Sequence, residues 1–171
     1  MKQMSKVRRL VFSAVFLALG YLLPFVTGQI PEIGKMLCPM HIPVLLCGFL
    51  CGGVFGMAVG FLTPLLRSLT LGIPVFFPSA LCMAFELMTY GLVAGLLHTH
   101  LPKKKWAIYL SLVLSMVIGR LVWGAACFLC MGFEFGFSAF LAGAVTNALP
   151  GILIQIVLIP ILVMVLERER K

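Results

Sequence analysis

Apolar stretches close to 20 residues long recur along the whole chain, parted only by short links such as TGQIPEIGKML, TLGIPVF and LPKKK. A run of about 20 apolar residues, rising 1.5 Å each, crosses the hydrocarbon of a bilayer as a helix. A soluble core has no room for so many: 62% of the 171 residues are hydrophobic and 11% charged, against roughly half and a quarter in soluble domains. Mean hydropathy is +1.15. The chain is therefore expected to be an all-α integral membrane protein. GYLLP follows the first run without a small-x-small cleavage site, so that run is expected to stay as a helix and not to be removed as a signal peptide.

Six spans can be laid on the chain, over 8–26, 38–51, 54–71, 77–97, 106–131 and 138–166. The second is short and opens with Pro39 and Pro43, and Cys51-Gly52-Gly53 permits a very tight turn into the third. Fusing 38–71 into one span leaves a five-span alternative with the termini on opposite sides. The basic residues favour six. Of 13 Lys and Arg, ten cluster at Lys2, Lys6, Arg8 and Arg9, at Lys103 to Lys105, and at Arg168, Arg170 and Lys171. With six spans all three clusters and both termini face the cytoplasm, leaving Lys35 and Arg67 on the other side. The expected architecture is one compact six-helix bundle over 1–171, multi-pass in a prokaryotic cytoplasmic membrane. The net charge of +8 then reports topology and not nucleic-acid binding.

Ionisable groups inside a bilayer are costly and are functional candidates by default. They are Arg67, Glu86 and Arg120, joined by the polar Asn147 and Gln155. Counting residues from the outer boundary puts Arg67, Glu86, Arg120 and Asn147 about 9 to 13 Å deep on four different helices. Two readings stay open: an outward-facing solute pocket, with Trp123 and Tyr90 as walls with polar edges, or a Glu86–Arg120 pair that only locks two helices. Two arginines against one glutamate leave a spare cation, which favours a carboxylate ligand.

Other motifs point away from chemistry. CxxC at Cys127 and Cys130 lacks a second pair for zinc, and the six cysteines read as small packing groups. His41 in MHIP is reminiscent of the start of metal-binding subunits in cobalt and nickel importers, where a free N-terminal amine helps ligate the ion, which an internal copy cannot supply. His98 and His100 read as solvated. No metal or cofactor is expected. All acids are glutamate, and GxxxxGK[ST], HExxH and GxSxG are absent, so uphill transport would need an ion gradient or a partner. Small residues four apart recur at Ala14 and Ala18, Gly56 and Gly60, and Gly91 and Gly95, each allowing close helix approach.

The basic six-span layout, the strip AVFLA from Ala14 to Ala18 and the run HIPVLLCGFLCGGVFGMAVGFLTPLLRSL resemble, over nearly the whole chain, the substrate-binding S components of energy-coupling factor (ECF) vitamin importers. The resemblance implies that Ala14 and Ala18 dock a membrane-embedded T component driven by two cytoplasmic ABC ATPases. It implies capture of a vitamin near the outer face by helices four to six, where Glu86, Arg120 and Asn147 lie, and delivery by toppling of the whole bundle. Pantothenate or another small carboxylate leads; riboflavin and pyridoxine-like ligands stay open, while two tryptophans are too few for a thiamine cage. The alternative is a self-contained secondary transporter or channel coupled through Glu86. A third reading, an intramembrane enzyme using the loop acids Glu32 and Glu134, lacks a visible partner base or metal set.

Overall fold

The described apolar runs form helices, which continue through Pro24, Pro64 and Pro160. The computed structural model describes residues 5–26, 39–102, 104–132, 136–143 and 148–168. They contain α1 (Lys6–Val26), α2 (His41–Cys51), α3 (Gly53–Leu71), a wide turn over Phe76–Ala80 that leads into α4 (Leu81–His100), α5 (Lys105–Met131), α6 (Phe137–Leu141) and α7 (Leu149–Arg168). Among the described residues there is no strand.

Five helices are long and apolar enough to cross a membrane: α1, α3, α4 with its lead-in, α5 and α7. The sixth expected span, over 38–51, is α2, whose 11 residues rise about 16 Å, roughly half of a hydrocarbon core. The division between α2 and α3 falls at Gly52, whose φ of 100° is closed to residues with a Cβ. Its N–H bonds the Gly48 carbonyl at 3.1 Å, and Gly56 in turn bonds Gly52. The last span was expected over 138–166, whereas the long helix begins at Leu149 after the short α6. Pro150 supplies the reason: it falls in the first turn of α7, the one place where a missing N–H breaks no helical bond.

The short helix α2 is the centre of the fold. Of its residues only Ile42 escapes full burial, and α1, α3, α4 and α7 pack around it. Glycines bring α3 and α4 together, and Gly48 brings α2 against Gly91 of α4. A Cβ at Gly91 would overlap the Gly56 carbonyl, one at Gly60 the Leu87 carbonyl, and one at Gly95 the backbone of Gly53. Backbone cannot turn aside as a side chain does, so these small residues serve packing within the bundle. Gly91→Leu is expected to destabilise the fold by about 3 kcal/mol or more, read as a drop in melting temperature of the detergent-purified protein; a melting temperature equal to the native one would refute the close α3–α4 contact.

Ala14 and Ala18 differ from those pairs. Ser13, Phe16 and Gly20 form the buried face of α1, and both alanines are exposed on the other side. They lie in one stripe with Val7, Val11, Leu22 and Phe25, all exposed, so the stripe has large apolar ends and a flat centre.

One expectation is corrected at the end of the bundle that carries the basic residues. His98 was read as solvated, but it is 7% exposed. Its Nε2 lies 2.9 Å from Glu167 Oε1, and its ring meets Phe49 edge-on at 5.2 Å. Packing against the phenyl ring removes the imidazole from solvent, and Glu167, on a helix distant in sequence, offers the partner that the local HTH motif lacks. His100 is exposed and bonds the Leu96 carbonyl. The cysteines 47, 51, 82, 127 and 130 are free thiols, four of them buried, and no cluster of metal-binding side chains occurs among the described residues.

Candidate functional site

Glu86 sits near the start of α4, with a side chain 2% exposed. A carboxylate so deep in an apolar bundle costs several kcal/mol unless charge and hydrogen bonds compensate it. Three groups from three helices converge on its Oε1. Arg120 Nη1 of α5 lies at 2.9 Å, Tyr90 Oη donates to it from 3.1 Å, and His41 Nε2, at the first residue of α2, lies at 3.5 Å.

Local sequence explains the convergence. Tyr90 is four residues on from Glu86, hence on the same helix face one turn away. Gly119, just before Arg120, leaves room for that ring: a Cβ at 119 would overlap the Tyr90 ring. The His41 ring lies 5.3 Å from the Tyr90 ring, tilted by 59°. Neither His41 nitrogen makes a hydrogen bond among the described residues, although the residue is 2% exposed.

Arg120 also borders a cleft of about 310 Å³ between α5 and α7, within the size range of small-molecule sites. Val113, Met116, Val117 and Leu121 of α5 form one wall, Ile152 and Ile156 of α7 the other, with Phe140 of α6 at the side and Tyr90 and Arg120 as its polar groups. Arg120 borders the cleft and Glu86 does not, and the surface the cleft presents is almost wholly apolar, the guanidinium being turned to Glu86. Such a cleft suits an apolar body, and a carboxylate carried on it would be held through two parallel hydrogen bonds once the guanidinium turns from Glu86 toward the cleft.

Of the residues picked from sequence, Glu86, Tyr90 and Arg120 thus stand together. Trp123 stacks on Phe140 at 6.3 Å and so backs the cleft through that ring. Arg67 stands apart: it is buried between α3 and α1, donates to the Tyr21 carbonyl, and has the Tyr21 and Phe25 rings 5.7 and 5.3 Å away. Asn147 lies outside the described residues. Gln155 is buried in α7, its amide oxygen without a hydrogen bond among the described residues. The His98–Glu167 contact ties α4 to α7, and Glu86 and Gln155 each lie twelve residues before their helix's member of that contact.

His41 is the site residue that sequence reasoning passed over. Its signal was an ionisable side chain opening the otherwise apolar run HIPVLLCGFLC, the same cost argument that singled out Glu86.

A family model described as "ECF transporter, substrate-specific component" matches residues 8–163. No curated protein and no solved structure matches the chain.

Proposed function

The chain belongs to the family of ECF transporter substrate-specific components, and from that membership we propose that it captures a water-soluble vitamin or related micronutrient in the α5–α7 cleft. A membrane-embedded T component and two cytoplasmic ABC ATPases then drive delivery inward. The observation that carries the ligand assignment is Arg120, held on buried Glu86 while lining an apolar cleft. A carboxylate with an apolar or weakly polar body, pantothenate among the candidates, is the ligand class this arrangement fits.

The remaining parts of the proposal follow the chain's charge. The basic ends of α1, α5 and α7 face the cytoplasm, the α2–α3 hairpin makes the second and third of six membrane segments, and 1–171 acts as one binding domain. Trp123 and Tyr90 wall the ligand, Asn147 contributes to its binding, and Arg67 anchors α1 apart from the cleft. Ala14 and Ala18 dock the T component. The chain itself is a transport component and not an enzyme.

A thermal-shift screen of the purified protein against pantothenate, biotin, nicotinate, riboflavin and pyridoxine tests the reading. Free ligand at a thousand times Kd stabilises the folded state by about 4 kcal/mol, so one vitamin is expected to raise the melting temperature by several degrees without ATP. A folded protein with no shift for any of them would refute vitamin capture. The buried Glu86–His41 contact favours one second reading, a proton-coupled transporter that works alone; uptake that persists in a host without ECF ATPases would establish it.

A further inference from the structure

Resting on the reading of the cleft as a carboxylate site, we infer that His41 is a proton-taking counter-charge for that site: binding of one carboxylate draws one proton from solution onto the imidazole. Arg120 pairs with Glu86 at 2.9 Å, and the His41 imidazole lies 3.5 Å from the same Glu86 Oε1; the inferred ligand-free group is this ion pair beside an unprotonated imidazole, net neutral. A carboxylate arriving at Arg120 from the cleft adds a negative charge, and it competes with Glu86 for the one guanidinium. An uncompensated carboxylate in this interior is strongly unfavourable. His41 is placed to remove the imbalance. Both of its nitrogens are buried without a hydrogen bond, so a proton has a free position, and Nε2 faces the carboxylate that Arg120 gives up.

The exchange balances. The Arg120–Glu86 contact loosens, an Arg120–ligand contact forms, one N–H bond is made on His41 with a proton from water, and the imidazolium pairs with Glu86. Net charge is zero before and after. The titratable groups facing the imidazole are Glu86 and Tyr90 of α4; Arg120 of α5 meets the same Glu86 oxygen, and Cys127 of α5 feels the Glu86 charge. The acid within ion-pair distance of the imidazole is Glu86.

Isothermal titration of the detergent-purified protein with pantothenate, biotin and nicotinate at pH 7.5, in phosphate and in Tris, counts the protons from the difference in observed heat. The expected result is uptake of about one proton with the acid that binds, and a Kd that weakens about tenfold per pH unit wherever that uptake holds. In His41→Gln, binding weakens by tenfold or more, what remains takes up no proton, and Kd loses its pH dependence. Binding to the native protein with no proton uptake overturns the inference, in a measurement that needs no variant to fold. Uptake that survives in His41→Gln assigns the proton to Glu86 and overturns it equally. If none of the three acids binds the folded protein, the carboxylate reading itself falls and takes the inference with it.

Discussion

Replacing Arg120 with alanine is expected to abolish carboxylate capture, weakening Kd by a hundredfold or more. Truncating one partner of a buried, hydrogen-bonded charge pair costs about 2 to 5 kcal/mol, and here the same guanidinium holds Glu86 at 2.9 Å and lines the cleft. The substitution therefore has a second effect: Glu86 loses its cation and the fold itself weakens, by about 3 to 5 kcal/mol. The two effects separate in the double variant Arg120→Leu with Glu86→Leu. Replacing both charges with apolar groups of similar size is often neutral or stabilising, so the melting temperature should return toward that of the native protein while binding stays lost. Calorimetry and thermal melts on the three proteins give the answer. A double variant that still binds its vitamin would move recognition away from Arg120, and the pair would be only a lock between α4 and α5.

How much of this was readable from the chain depended on which coordinate a residue count supplies. Rise along a helix is 1.5 Å per residue, so the similar depth of Glu86 and Arg120 followed from counting along two apolar runs. Direction around the axis did not follow. Arg67 was counted into the same layer, yet it turns to Tyr21 and Phe25 of α1, because azimuth depends on how α3 seats against its neighbours through Gly56 and Gly60. The break at Gly52 was legible from CGG, since a backbone at φ 100° needs glycine. The displaced start of α7 carried a signal too, Pro150, which the apolar count from 138 overran. His98 and Glu167, 69 residues apart, share no pattern that a linear reading links. His41 was judged by a metal-binding motif and not by the cost of burying an imidazole. The family match over 8–163 rests on the chain as a whole, whereas the facing of Ala14 and Ala18 away from the core needed the packing of α1 on α2 and α3.

That outward facing makes Ala14→Trp the sharpest test of docking, with uptake in cells carrying the T component and ATPases expected to fall to background while vitamin binding is unchanged. Helices in a membrane associate through close backbone contact at small residues, because lipid is as apolar as leucine and gives no drive of its own. The flat centre at Ala14 and Ala18, bounded by exposed Val7, Val11, Leu22 and Phe25, permits such an approach, and an indole there would hold a partner helix several ångströms away. Binding should survive because α1 packs on α2 and α3, whereas the cleft lies between α5 and α7. Leu129→Trp is the control: that residue is 83% exposed on α5, so an added indole there meets lipid and uptake should continue. Loss of uptake in both variants would mean that bulk anywhere on the surface blocks delivery. Normal uptake in Ala14→Trp would exclude this stripe as the T component's seat, and the exposed small residues of α1 would then be lipid-facing packing alone.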